Sequence, residues 1–295
     1  MIKYKKNPRQ TKHKKRKIKI KMNSRFKTLK RKRMTGGRMT GGNILEFNNK
    51  LDADDKSSIL EIGKGGGGVV YVDFTQPNVV FKVSNKNNTC REWNKEKRLY
   101  DKINTYSLDT EKCKLVKMIS FENIENKCVL ELSRVINPLD SHANYTIHPQ
   151  FGKSNFSYVF HGRGLFLGNQ ELLDKNIIPG NLELYIQDLA ICMARLHYLA
   201  QNDGYDIEIF IGKHDDTTEN KLFIADFDLS EMIEVYNDYS IDRILWSLCA
   251  IPYFPIPPTK EFQVFQENYI NEAQKHNKEQ IAKTIMSKYV EYYTE

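Results

Sequence analysis

Residues 59–74 read ILEIGKGGGGVVYVDF, and residues 78–84 read NVVFKVS. Apolar stretches flank a glycine run, the pattern of short strands joined by a turn, and three strands are expected here. Glycine lacks a Cβ, so such a turn lets the backbone approach a polyphosphate closely. A run of four glycines also makes a plain flexible hairpin, and the turn alone does not decide between the two. Lys82 stands inside the apolar strand, twelve residues after Val70. A lysine in that setting usually snorkels to the surface along its aliphatic stem.

Working outward, residues 88–104 (NTCREWNKEKRLYDKIN) have Trp93, Leu99, Tyr100 and Ile103 on one helical side and charges elsewhere. LVKMISF (115–121) and KCVLELSRV (127–135) read as two strands joined by the turn ENIEN. Residues 57–135 are therefore expected to form an α+β unit of five strands and one main helix. Residues 136–182 contain Pro138, Pro149 and Pro179 and few long patterns. Residues 183–200 form the clearest helix, with Ile186, Leu189, Ala190, Met193, Leu196 and His197 at helical spacing. The turn QNDGYD follows, then IEIFIG and KLFIADFD as two short strands around KHDDTTEN. Helical patterns at 229–250 and 260–293 are split by PYFPIPP.

The N-terminal side differs. Residues 1–45 hold 18 of the 45 Lys and Arg and no acid, and the first acid is Glu46. The other 250 residues carry 27 bases against 37 acids, so the formal charge of +8 hides a domain of net charge −10. KHKKRKIKIK and KTLKRKR are blocks of like charge that cannot bury a core. Residues 1–45 read as a disordered basic arm ending in a twofold Arg-Met-Thr-Gly-Gly repeat, at Arg33 and Arg38, that makes a flexible joint. The 295 residues are 40% apolar and 28% charged, an ordinary globular composition that excludes collagen-like, wholly disordered and membrane-spanning readings. No signal peptide and no membrane association are expected. Five scattered cysteines lack zinc-site spacing and suggest no dense disulfide framework, so a reducing intracellular setting is expected.

The glycine turn, the strand lysine and the following helix together resemble the N-terminal lobe of the protein-kinase-like superfamily. The resemblance implies a bilobal fold, with an N-lobe over 57–135 and a reduced, mostly helical C-lobe over 136–295. It implies ATP and Mg²⁺ as ligands. Gly63, Gly65, Gly68 and Val70 would cover the nucleotide, and Lys82 would hold the phosphates. Glu92 and Glu96 compete as partner of Lys82, with Glu96 preferred because Glu96-Lys-Arg-Leu99 is similar to the kinase segment. Leu130 would lie near the gatekeeper position, with Glu131 to Ser133 as the hinge beside adenine.

In the second half, Asp203-Gly-Tyr-Asp-Ile-Glu208 resembles the kinase catalytic loop without its His-Arg. Asp203 would orient the acceptor hydroxyl and Glu208 would bind Mg²⁺, with Asp206 as a competing ligand. Ile224-Ala-Asp226-Phe-Asp228 resembles the metal-binding Asp-Phe-Gly motif, with Asp226 as ligand and Asp228 in place of glycine. An acidic turn and a helix-capping aspartate are the plainer readings of these segments. His197 is expected to be a structural core residue. Residues 160–258 are also similar to a fungal domain of unknown function often named as a zinc-finger protein, although nothing in the residues supports zinc.

Three functions compete. The first is an ATP–Mg²⁺-dependent phosphotransferase with an unidentified acceptor, protein or small molecule. The second is a pseudokinase, a nucleotide-binding interaction module without turnover; the missing His-Arg and short C-lobe favour it. The third is a polyanion-binding structural protein whose arm, residues 1–38, holds nucleic acid through counterion release without reading sequence. The arm also fits nuclear addressing or packaging in the virion of a large DNA virus. Oligomeric state is left open.

Overall fold

The computed structural model describes residues 43–53, 57–64, 67–85, 90–124, 127–141, 143, 145–151, 159–161, 164–214, 218–249 and 253–294. The chain divides into two units, Met1–Gly37 and Arg38–Glu295, and every element below belongs to the second. Residues 1–42, with the repeat, lie outside the described residues.

The fold is α+β, with two sheets. The first has the order β1-β2-β3-β6-β5, built from β1 (Ile59–Lys64), β2 (Gly68–Asp73), β3 (Val79–Ser84), β5 (Met118–Ile124) and β6 (Lys127–Ser133), all antiparallel. These are the five expected strands. β3 is buried along its whole length because helices cover both faces of the sheet. On one face lies α1 (Ile44–Asp52), whose Phe47 stacks on Phe81 at 4.0 Å in a cluster with Ile44, Val79, Val83 and Val129. On the other lies α2 (Cys90–Asn104), which buries Trp93, Leu99, Tyr100 and Ile103.

Helix α1 corrects the expected limits of the arm and the domain. The helix is capped by Asn43, whose side chain accepts from the Glu46 amide at 3.0 Å. Only four apolar residues, Ile44, Leu45, Phe47 and Leu51, mark α1, and without the sheet beneath it they make a weak signal.

Besides the expected majority of helix, the second half supplies five strands to a second sheet. That sheet has six strands in the order β4-β11-β10-β7-β9-β8. They are β4 (Cys113–Leu115), β7 (Thr146–Gln150), β8 (Val159–His161), β9 (Gly164–Gly168), β10 (Glu208–Gly212) and β11 (Lys221–Ala225). Most are short and buried on both faces, so they show no alternation. The run LVKMISF, expected as one strand, serves both sheets. Leu115 pairs with Ile224 in the second sheet, and Met118 opens β5 in the first.

Helices complete the unit: α3 (Asn169–Asp174), α4 (Leu182–Tyr198), α5 (Asp238–Cys249), α6 (Lys260–Lys275) and α7 (Glu279–Thr294). The expected single helix over 260–293 is two helices, broken where Asn277 takes a left-handed φ of 57°. Among the described residues, no helix is long and apolar enough to cross a membrane. α4 packs along α6 through an ion pair of Arg195 with the buried Glu272 at 2.7 Å, and Lys275 adds a second at 2.6 Å. Burial pushes the Glu272 carboxyl up, but the bonds from Lys275 and Arg195 outweigh it and hold the group below its usual range. Glu272→Ala, which leaves the Arg195 guanidinium without its carboxylate, should lower unfolding free energy by about 2 kcal/mol in urea titration.

Candidate functional site

Strand register assembles the first part of the site. Val70 pairs with Lys82, Lys82 with Leu130, and Leu130 with Phe121. Directly paired residues share a sheet face. One row across four strands therefore carries the lysine, with apolar neighbours beside it, on the face that α2 covers. Glu131 sits one residue out of phase. Its side chain belongs to the opposite face, where it accepts from the Ser120 hydroxyl at 2.5 Å. Its backbone is paired inside β6 between Phe81 and Ser120. The expected hinge at 131–133 is thus strand, and the chain leaves the first sheet only after Ser133.

Lys82 is buried and holds three oxygens. Its Nζ lies 3.0 and 3.2 Å from the Glu96 carboxylate and 2.7 Å from Asp226 Oδ1, with the Trp93 ring centroid at 5.5 Å. Burial alone would drive off its proton, but the charges of Asp226 and Glu96 outweigh burial and hold the ammonium well above its ordinary range. Burial pushes the Glu96 carboxyl up to about 7 against the pull of that ammonium. Glu96 makes this pair, and the Glu92 side chain lies outside the described residues.

The second part of the site comes from two turns at the ends of β10 and β11. Glu208 opens β10 directly opposite Ala225, which places it beside Asp226. Asp226 (φ 63°) and Asp206 (φ 61°) both take left-handed backbone that side-chain-bearing residues rarely adopt. Glu208 is exposed at the start of β10, and neighbouring protein and the Asp226 charge push its carboxyl up to about 7. Asp206 and Asp228 are raised as well, by burial first and by Asp226 next. Phe227 is fully buried, edge-on to Tyr100 at 5.3 Å, and so anchors the segment between the two aspartates to α2.

The glycine turn reaches the same place. A Cβ on Gly67 would stand 3.1 Å from Asp228 Oδ2. Gly68 is needed for packing: a Cβ there would strike the Val83 carbonyl and come 2.9 Å from the Trp93 ring. At Gly63 the nearest contact would be an ordinary 3.5 Å to Val70. Gly68→Ala should therefore cost about 1–3 kcal/mol, and Gly63→Ala about 0.5 kcal/mol or less, read from denaturant midpoints at constant slope. Gly65 lies outside the described residues.

Asp203, expected to orient the acceptor hydroxyl, lies in the turn before β10. It is 1% exposed. One carboxylate oxygen accepts from the amides of Tyr205 (3.0 Å) and Glu231 (2.9 Å), and the other is ion-paired with Arg243 Nε. The Arg243 guanidinium also donates to the Leu229 carbonyl at 2.8 Å and lies over the Tyr205 ring at 4.5 Å. Asp203 thus ties the turn at 201–206 to the segment after β11, and its oxygens are already engaged. Asp206, three residues on, is the exposed carboxylate of that turn. Arg243 went unnoticed in the sequence, although it is the lone base between Lys221 and Lys260 in an acid-rich stretch. His197 is a core residue as expected, bonded through Nδ1 to the Tyr269 hydroxyl at 2.7 Å.

Asp226 thus bonds the Lys82 ammonium shared with Glu96, and Asp206, Glu208 and Asp228 all feel the Asp226 charge. Burial first and the Asp226 charge next raise Asp206, Glu208 and Asp228, and a bound cation would oppose that rise. Among the described residues no three His, Cys, Asp or Glu side chains form a metal cage by themselves. Mg²⁺ needs none, because it binds through one or two carboxylates plus substrate phosphates and water. The residues fit Mg²⁺ in that manner. The sequence matches no family model and no curated relative.

Proposed function

We propose that the protein is an ATP–Mg²⁺-dependent phosphotransferase with a divergent, bilobal kinase-like fold. The observation that carries this reading is the Lys82 ammonium held between Glu96 of a packed helix and Asp226 of a strained turn, 144 residues away in the chain. A buried charged network of this kind costs desolvation, and a site that holds phosphate and metal gives a reason for it. In this reading Lys82 binds the phosphates, and Glu208 and Asp226 hold Mg²⁺, which neutralises charge on the transferred phosphoryl group. The row of Val70 and Leu130 supplies apolar contact for the base. Asp206 replaces Asp203 as the carboxylate facing the acceptor hydroxyl.

Turnover tests the assignment. Asp206→Asn should lower phosphoryl transfer or ATP hydrolysis by about 100-fold or more and leave Mg²⁺–ATP affinity within about threefold. Equal turnover in Asp206→Asn and wild type would remove Asp206 from the chemistry. One observation favours a second reading, an interaction module without turnover: the engagement of Asp203 by Arg243. Mg²⁺–ATP binding with no turnover against any acceptor, including water, would select it. The polyanion-binding role of the basic arm is a separate proposal, read out as salt-sensitive nucleic-acid binding lost on deleting residues 1–42.

A further inference from the structure

The cysteines read in sequence as scattered and reduced, yet two of them meet. Cys90 and Cys128 are joined as a disulfide, with Cα atoms 5.7 Å apart across 38 residues of chain, inside the ordinary Cα range for such bonds. We propose that Cys90–Cys128 is a reversible thiol–disulfide site that regulates the nucleotide pocket by locking α2, and with it Glu96, onto the first sheet. The lock itself stands on the structure alone, and its effect on nucleotide rests on the phosphotransferase reading above.

The position of the bond is the argument. Cys90 is the first residue of α2, and Cys128 lies in β6 two residues before Leu130, on the same sheet face as Lys82. The disulfide fixes the first turn of α2 to the sheet, and the Glu96–Lys82 pair fixes the second. Both anchors hold one helix, so loosening the first frees the second to move. Cys90 is half-buried and Cys128 fully buried, which gives a small thiol one sulfur to attack. The free cysteines Cys113, Cys192 and Cys249 are all buried.

The exchange balances with a low-molecular-weight disulfide such as oxidised glutathione. The Cys90 thiolate attacks one sulfur and displaces a first thiolate, forming a mixed disulfide. The Cys128 thiolate then attacks the Cys90 sulfur and displaces the second. Two electrons pass from the cysteines to the reagent, and the two protons lost by the cysteines protonate the two released thiols. Reduction runs the same steps in reverse.

The test uses the full chain in glutathione buffers of graded potential. Alkylation and mass spectrometry give the fraction of Cys90–Cys128 bond, hydrogen exchange reports residues 90–104, and calorimetry gives Mg²⁺–ATP affinity. Oxidation should slow exchange in α2 and tighten Mg²⁺–ATP by about tenfold, a coupling of ordinary size. By reciprocity, saturating Mg²⁺–ATP should move the redox midpoint about 30 mV more reducing. Cys90→Ser should behave as the reduced chain in every buffer. Failure of the bond to form in oxidised glutathione, or identical α2 exchange in both states, overturns the proposal. A bond that slows α2 exchange in a chain binding no Mg²⁺–ATP in either state supports the lock and overturns the phosphotransferase reading instead.

Discussion

Lys82→Ala is expected to abolish the thermal stabilisation that Mg²⁺–ATP confers on the wild-type protein. Ligand at 100 times its dissociation constant adds about 2.7 kcal/mol, which is a rise of roughly 5–10 °C for a domain of this size. The variant loses the Lys82 ammonium and should show a shift of about 1 °C or less at the same concentration. It should also be less stable without ligand. Glu96 is buried, and removing its partner leaves a carboxylate that must be desolvated alone, a cost of about 3–5 kcal/mol for a group that stays ionised. Protonation limits that cost, because burial already pushes Glu96 up to about 7. The double variant Lys82→Met/Glu96→Gln removes both charges and should recover much of the lost stability while remaining blind to Mg²⁺–ATP. That pairing separates loss of binding from loss of fold. A full ligand shift in folded Lys82→Ala would take Lys82 out of the site. No shift in wild type at millimolar Mg²⁺–ATP would overturn the phosphotransferase reading.

The second large effect is acid lability from two buried neutral histidines. His148 stacks on Phe166 at 4.7 Å; its Nδ1–H donates to the Ile209 carbonyl at 2.8 Å, and its Nε2 accepts from the Thr146 hydroxyl at 2.7 Å. Burial pushes it down to about 4, against the pull of the Ile209 carbonyl. Burial pushes His197 down to about 3. Both bind a proton in the unfolded chain near pH 6.5 and resist it in the native state. Their contribution is whole above pH 6.5 and is lost as pH falls toward the native values, at about 1.4 kcal/mol per unit for each. At pH 5 this amounts to about 2 kcal/mol each.

Glu96 and Glu208, pushed up to about 7, act in the opposite sense. They hold protons in the native state that the unfolded chain has released, so they add stability as pH falls from 7 toward 4.5. The difference between wild type and His148→Gln/His197→Gln isolates the histidines. From pH 8 to 5 the double variant should gain about 4 kcal/mol relative to wild type in urea unfolding, whatever its deficit at pH 8. A difference that stays constant with pH would show that neither histidine is held neutral by the fold.

These expectations divide between what the chain order makes plain and what it hides. Three strands about a glycine turn were legible because alternation is local, and each strand has one partner close in sequence. Lys82 and Glu96 were legible because strand and helix lie fourteen residues apart. Of the second sheet, β10 and β11 were legible, whereas β4, β7 and β9 were not, because Cys113 pairs with Leu222 and Thr146 with Gly164 in strands too short and too buried to alternate. Sequence also offered two carboxylates in one turn, with Asp203 expected to orient the acceptor and Asp206 expected only as a competing metal ligand. The choice was made by Arg243, forty residues downstream, which claims one and leaves the other exposed. The pairing of Cys90 with Cys128 and the turning of Glu131 away from Lys82 are of the same kind. The sequence by itself thus determined the α+β class, the glycine turn, the strand lysine with its helix glutamate, and the acidic turns. The tertiary structure decided which carboxylates remain open, because a side chain's charge and reach are local properties, whereas its desolvation and its partners depend on segments the fold brings in from far along the chain.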